Sequence, residues 1–492
     1  MNELSQLEDI LESIVPIDNA LLHSNEFKQA VFDVVEEYMD DNVLTMMNED
    51  FHETLLSDVF HLMICQFEDD LKFYNYEECE CLIDDIIHEY YSDVCNPRTC
   101  DDDDRRGYTL DNVDVKKHIQ KLKTQLSNLK AQPQPQQRTK EWYEYRYNLI
   151  TASNAYKAFM TGSEYNQLIY EKCQPLVVPS KPTEDEADTC MPVNVDTTLH
   201  WGQKYEEVSV MIYEDMYNTK IEEFGCIQHQ TIPFLGASPD GINMDQTNPT
   251  LYGRMLEIKN IVNRDITGVP KTEYWVQTQL QMEACDLNEC DFFETRIKEY
   301  ESEQQYVDAV KNKSMLGVCV NNPRNNVFYS GIVMHFSKNG KPIYKYSPLN
   351  IAGDALKEWE ENMHKELDVS SDVLWIKNMY WYLEEYSCVL VLRNKTWFDA
   401  ALPLLRSAWE TITKERIEGY QHRAPAKRTA KKTTSESDGG SSCMIRLNNA
   451  LGNVVVNDGT ITSCFQYHNI PMKIRTESID ETSKKMSGPP TG

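Results

Sequence analysis

Apolar residues recur at three- and four-residue steps through the first quarter of the chain. The runs LEDILESIV, EFKQAVFDVVEEYM and VKKHIQKLKTQLSNLK carry the stripe of an amphipathic helix. Four aspartates, Asp101 to Asp104, then Arg105-Arg106-Gly107, interrupt this pattern as a loop. After the Pro/Gln segment AQPQPQQ the periodicity becomes mixed. A helical stretch, EWYEYRYNLI, leads into a turn-like Ile150-Thr151-Ala152-Ser153, and a polar, Pro-rich insertion runs from about Cys173 to Thr198. The helix WGQKYEEVSVMIYEDMY precedes three strand-like segments, FGCIQHQTI, FLGASPDGINM and RMLEIKNIV. A further helix, EYWVQTQLQMEAC, and a strand, FFETRIKEY, come next. VFYSGIVMHF and KPIYKYSPL, joined through Asn339-Gly340, read as a hairpin. From Asp354 to Tyr420 the spacing reads as helical again, and a basic, then Ser/Gly-rich tail closes the chain with one short apolar patch.

This pattern predicts an α/β fold with added helical regions at both ends. The expected division is an acidic helical region over residues 1–130, a Pro/Gln linker at 131–137, a mixed α/β core at 138–350, a helical region at 351–422 and a basic, largely flexible tail at 423–492. A length of 492 residues suits two or three such units. The formal net charge of −31 excludes a uniformly basic surface, yet a local basic groove is all that phosphate binding requires. The start of the chain lacks the basic and small-residue features of a signal peptide, and no apolar run is long enough to span a bilayer, so an intracellular protein without membrane contact is expected. The 14 cysteines include the pairs Cys79/Cys81 and Cys95/Cys100, which lack zinc-ribbon spacing and read as buried thiols.

The candidate chemistry sits in Ser238-Pro239-Asp240-Gly241 and Glu257-Ile258-Lys259. Glu257 and Lys259 alternate within a strand and therefore share a face. If that strand pairs with the one ending at the Asp-Gly turn, Asp240 and Glu257 converge beside Lys259. Two carboxylates so placed suit Mg2+, a hard ion that keeps water for a substrate, and Lys259 can orient or deprotonate that water. Phosphodiester hydrolysis calls for this set. Glu206 follows Gly202 by one helical turn, where open space lets its carboxylate reach a metal or its water. Gln277 and Gln281 share a helix face and can hold a phosphate or the Glu257 carboxylate. Arg146, followed by Thr151 and Ser153 at a helix start, makes an anion pocket suited to a terminal phosphate.

The ordered series Glu141-Trp142, Arg146, Ile150-Thr151-Ala152-Ser153, Gly202, Glu206, Ala237-Ser238-Pro239-Asp240-Gly241, Leu256-Glu257-Ile258-Lys259 and Gln277-Thr278-Gln279 resembles the YqaJ-like viral recombinase family, a lambda-exonuclease-like branch of the PD-(D/E)XK nucleases. The resemblance covers roughly residues 138–299, about a third of the chain, and the longer versions of this core resemble proteins of large DNA viruses. It implies a restriction-endonuclease-like core, a mixed central sheet flanked by helices. It implies hydrolysis of duplex DNA from 5′ ends with Mg2+ or Mn2+, expected as two ions held by Asp240, Glu257 and Glu206. Lys259 would serve the nucleophilic water and Gln277 its surroundings. Arg146, Thr151, Ser153 and Ser238 would hold phosphates. The implied partners are DNA ends and a single-strand annealing protein. An oligomer is open, since the added regions have no counterpart in the compact phage enzyme, and a viral protein of this kind would work in host cytoplasm or be carried in the virion. Two alternatives stand beside the exonuclease: a structure-specific or nicking endonuclease using the same residues, and a catalytically inactive DNA-end-binding protein. An iron–sulfur nuclease would need clustered ligands, and Cys226, Cys285, Cys290 and Cys319 lack that clustering.

Overall fold

Phe27, Val31 and Val35 recur on one face, and the chain folds there as helix α1 (Asn25–Asp41). The Ser24 hydroxyl caps it by accepting from the Phe27 amide at 3.1 Å. Helix α2 (Phe51–Gln66) buries Phe51, Leu55, Val59 and Met63 at four-residue intervals. Helix α3 (Tyr76–Asp93) starts at Asn75, whose side chain accepts from the Glu77 amide, and buries Ile83, Ile86, Ile87 and Tyr90. Helix α4 (Val115–Ala131) presents Leu122, Leu126 and Leu129 inward. The computed structural model describes residues 22–71, 74–95, 97–100, 115–135, 139–176, 195, 197–368 and 373–425. The opening LEDILESIV run, the aspartates 101–104, most of the Pro-rich insertion and the apolar patch near the end of the chain lie outside the described residues.

Beyond α4 come α5 (Lys140–Tyr147), β1 (Ile150–Thr151), the one-turn α6 (Ala152–Ala155), α7 (Ser163–Cys173) and α8 (Thr198–Tyr217). Strands β2 (Ile221–Glu222), β3 (Ile227–Gln228), β4 (Leu235–Ala237), β5 (Gly241–Asn243) and β6 (Met255–Asn260) precede α9 (Thr272–Cys285) and β7 (Glu289–Glu299). Then follow α10 (Glu303–Asn312), β8 (Val318–Cys319), β9 (Ser330–Lys338), β10 (Lys341–Tyr346), α11 (Gly353–Asp368), β11 (Val373–Leu392) and α12 (Lys395–Glu418). The main sheet is mixed, in the order β10-β9-β11-β7-β6-β5-β2, with β8 paired to β11. Only β6/β7 on the main path is parallel, and α9 makes the crossover between them. A second, small sheet has the order β1-β4-β3. The expected α/β architecture, a mixed central sheet with helices on its faces, is the one the chain adopts.

Alternation along β6 sorts the two faces. Leu256 and Ile258 pack with Tyr205, Val208 and Ile212 of α8. Met255, on the opposite face, joins Val276 and Leu280 of α9 in a larger core. The expected hairpin is β9/β10, with Asn339 at φ +50° and Gly340 at +72°, the left-handed pair a tight two-residue turn requires.

Three expectations need correction. Residues 351–422 are not a helical region: β11 occupies twenty of them and lies inside the sheet, between β9 and β7. Its sequence, VLWIKNMYWYLEEYSCVLVL, is rich in aromatic and β-branched residues that favour a pleated surface, so the core continues past residue 350. The Pro/Gln segment is not a domain boundary either. Leu122, Leu126 and Leu129 share one apolar core with α1–α3, Met255, Phe292 and α12, and burying each contributes roughly 1.5–3 kcal/mol. Arg98 donates to the Pro270 carbonyl and Trp275 Nε1 donates to the Arg98 carbonyl at 3.0 Å, tying the helical region to the start of α9. Finally, Arg423, read as the start of a flexible tail, is docked by a two-pronged ion pair on Glu415.

Candidate active site

FLGASPDGINM folds as two strands. β4 ends at Ala237 in the small sheet, Ser238-Pro239-Asp240 crosses over, and β5 begins at Gly241 in the main sheet. Gly241 is required there, because a Cβ would stand 2.1 Å from Ile221 Cγ2 on β2. The β5/β6 register sets Gly241 opposite Leu256, which brings Asp240 alongside Glu257. Asp240 Oδ2 accepts from the Ile258 amide at 2.7 Å.

Glu257 is 1% exposed and fully engaged. Its Oε1 accepts from Gln277 Nε2 at 2.6 Å and from Lys259 Nζ, and its Oε2 accepts from Gln281 Nε2 at 2.7 Å. The Lys259 ammonium also donates to Gln277 Oε1 at 3.3 Å and sits 4.9 Å from the centre of the Tyr274 ring. Burial works against the Lys259 charge, but Glu257 and Asp240 outweigh it and hold the pKa above its ordinary value. The ammonium therefore stays charged, which suits orienting water rather than deprotonating it. Burial pushes the Asp240 carboxyl well up, helped by repulsion from Glu257 and Glu206. Glu206 is likewise raised by burial, then by Glu257 and Glu223. Three carboxylates thus crowd one place with a single ammonium among them. A divalent cation would relieve that repulsion, and an all-oxygen donor set fits Mg2+ or Mn2+. Gln281 Oε1 is buried with no hydrogen-bond partner, an acceptor left over beside these groups.

A cleft of about 500 Å³ opens onto this cluster, lined by Glu206, Glu223, Ser238, Asp240 and, from the Pro/Gln segment, Gln134 and Pro135. Gln134 is fixed there by accepting from the Gly225 amide at 2.7 Å. At Ser238 the charge changes sign. Arg146 reaches Ser238 Oγ at 3.4 Å while stacking over Trp142 at 4.7 Å. Lys172 donates to the Arg146 carbonyl at 3.0 Å, and Arg416 donates to the Lys172 carbonyl at 3.0 Å. Burial, with Arg146 and Arg416 nearby, lowers the Lys172 pKa to about 8. Arg146, backed by Lys172 and, behind that, Arg416, thus places a cation against a hydroxyl on the wall of an acidic cleft, a pairing that complements a phosphate.

The expected Asp240, Glu257, Lys259, Glu206 and Gln277 are therefore brought together, and Arg146 meets Ser238. Thr151 stands beside Gly236 across the β1/β4 pairing, two residues before Ser238. Thr151 precedes α6 but its hydroxyl goes to Asn154 Oδ1 (3.1 Å) and Ser153 Oγ (3.4 Å), and among the described residues no hydrogen bond joins either to Arg146 or Ser238. Sequence reasoning missed Lys172, Arg416 and Glu223, which no spacing connects to the motif. It also missed Arg264 and Glu294: the pair lies beside Lys259, whose cross-strand neighbour is Glu294. Cys226, Cys285, Cys290 and Cys319 are buried free thiols.

Residues 141–288 match the YqaJ-like viral recombinase domain. That span contains the whole acidic cluster, Gln277, Gln281, Arg146, Lys172 and Ser238. An uncharacterized protein of Acanthamoeba polyphaga mimivirus is 30% identical over 201 residues, 39% of this chain and 34% of the relative, so the chain spans about a third of that protein's length. Two crystal structures of an alkaline exonuclease from Laribacter hongkongensis, one in complex with dAMP, align at 16% and 17% identity. Each covers 58% of this chain and 95% of its own, with a TM-score of 0.30. Among the described residues no helix is long and apolar enough to cross a membrane.

Proposed function

We propose that this chain is a metal-dependent deoxyribonuclease that hydrolyses phosphodiester bonds as a 5′-to-3′ exonuclease at the ends of duplex DNA, in viral recombination or replication. One observation carries the reading. Asp240, Glu257 and Glu206 converge beside Lys259 at a cleft whose Ser238 hydroxyl is met by Arg146, with Lys172 packed behind it on the Arg146 carbonyl. An acidic metal-binding end next to a cationic phosphate-binding end is the polarity that cutting near a phosphorylated terminus demands. The match of residues 141–288 to a viral recombinase domain supports the same reading.

Asp240, Glu257 and Glu206 would hold Mg2+ or Mn2+, as one ion or two. When bound, the ion lowers the pKa of water and neutralises phosphate charge. The protein's own groups do the rest. Gln277 and Gln281 lock the Glu257 carboxylate in one orientation, and the Ile258 amide does the same for Asp240. The charged Lys259 orients water and offers a proton donor to a non-bridging phosphate oxygen. Arg146 and Ser238, backed by Lys172, take the terminal phosphate and so set which bond lies over the carboxylates. A single-strand annealing protein is the natural recipient of the strand left behind, and the site of action would be host cytoplasm or the virion.

The test is a digest of linear duplexes, with and without a 5′ phosphate, beside a supercoiled closed circle, in Mg2+. The proposal expects 5′-phosphorylated linear DNA to be degraded fastest and the circle to stay closed. A nicked circle would instead make the site an endonuclease, and no cleavage by the intact protein would reduce it to DNA-end binding.

A further inference from the structure

Outside residues 141–288, one cluster of metal-ligating side chains bridges two helices. His52 stands in the first turn of α2, and its Nε2 lies 2.8 Å from Asp84 Oδ1 of α3. His88 follows Asp84 by one helical turn on the same face, with Nδ1 3.2 Å from that same oxygen. One donor atom from each of the three falls within 4.8 Å of the others, and this is the group of that kind among the described residues. The two imidazoles meet edge to face, 4.9 Å between centres. Asp84 and His52 are about a third exposed and His88 more, at 35%, 33% and 61%, so water can complete a coordination shell.

We propose that His52, Asp84 and His88 form a binding site for a borderline divalent transition ion, Zn2+ foremost, that clips α2 to α3. Two imidazoles and one carboxylate favour such an ion over Mg2+ or Ca2+, which take oxygen. The surroundings are arranged for it. Metal-bound histidines rely on a partner for the second ring nitrogen, and His52 Nδ1 lies 3.3 Å from the Tyr91 hydroxyl. A phenol hydroxyl there can accept from the ring N–H. His88 Nδ1 also rests 2.9 Å from the Asp84 carbonyl oxygen, a contact that coordination through that nitrogen would replace. Glu53, next to His52, and Asp84 itself both add negative potential at Tyr91. The consequence is a metal-dependent cross-link inside the helical region that packs against α9 through Arg98 and Trp275, separate from the acidic cleft and chemically unlike it.

The experiment uses the full chain, stripped with EDTA, dialysed and held in millimolar Mg2+ so that the acidic cleft is supplied with its own kind of ion. Co2+ serves as the spectroscopic probe and Zn2+ as the competitor. The proposal expects one equivalent of Co2+ to develop a visible d–d absorption that one equivalent of Zn2+ bleaches, with a rise in melting temperature on Zn2+ addition. His52→Gln and His88→Gln, each checked for native far-UV circular dichroism, should lose both responses, whereas Asp240→Asn should keep both. Absence of the band in the native chain would overturn the proposal. So would a band that survives both histidine substitutions, or one that Asp240→Asn removes.

Discussion

Replacing Gln281 with Met would strip the buried Glu257 carboxylate of one of its amide donors with little change in volume. Gln281 Nε2 donates to Glu257 Oε2 at 2.7 Å, and both residues are shielded from water, so nothing takes its place. A hydrogen bond to a charged group contributes roughly 1.5–3 kcal/mol net. Outer partners of metal-binding carboxylates typically change metal affinity by about 10- to 100-fold, which is roughly 1.4–2.7 kcal/mol at room temperature. Both routes give the same size of effect. The Oε1 side stays held by Gln277 and Lys259, so the carboxylate should turn rather than leave. Gln281→Met should therefore raise the Mg2+ concentration for half-maximal cleavage by about 10- to 100-fold. It should lower the rate at saturating Mg2+ far less, and lower the urea midpoint in EDTA. Mg2+ titration by calorimetry together with cleavage rates measures this. Wild-type Mg2+ dependence and an unchanged urea midpoint would refute the claim that α9 holds Glu257.

Asp240→Asn should abolish cleavage and largely spare DNA binding in a gel-shift assay. Asp240 titrates well above its ordinary 3.8 in the fold, so its contribution to stability is present below that value and lost as pH rises through the raised one. At pH 8 without Mg2+ the substitution should thus raise the urea midpoint, and Mg2+ should no longer add to it. Lys172, lowered to about 8 from 10.5, should lose its charge as pH rises through 8. Affinity for 5′-phosphorylated ends, read by fluorescence anisotropy, should weaken over that range, and Lys172→Met should flatten the profile. The same depressed value means that the Lys172 term in folding stability grows more favourable between about 8 and 10.5. Gly241→Ala should cost ~1–3 kcal/mol in urea unfolding by forcing a Cβ to 2.1 Å from Ile221 Cγ2. Gly202→Ala, where the added Cβ meets nothing within 4 Å in α8, should instead gain ~0.5–1 kcal/mol.

The acidic motif was readable because its geometry is local. Glu257 and Lys259 share a face by the pleat of one strand, and the Asp-Gly step places Asp240 at that strand's antiparallel neighbour. Gln277 and Gln281 share a face by the helical repeat, and they do reach Glu257 together. The same local logic failed at β11. The last third of β11, Tyr386 to Leu392, is buried on both faces and loses its alternation, so its apolar spacing imitates a helix. It failed again at the Pro/Gln segment, whose composition suggests a linker while Gln134 and Pro135 wall the cleft.

By itself, then, the sequence determined which side chains project together from each element, and with that the acidic half of the cleft, because backbone periodicity acts over a few residues. Tertiary structure alone decided which cations stand behind Arg146. Lys172 of α7 reaches the Arg146 carbonyl, and Arg416 of α12 reaches the Lys172 and Tyr147 carbonyls, because α7 and α12 pack together, with the buried Cys173 Sγ donating to the Ile412 carbonyl at 3.5 Å. It also decided that His52 would meet Asp84 and His88. Such meetings depend on how distant segments share a core, and no spacing along the chain encodes that.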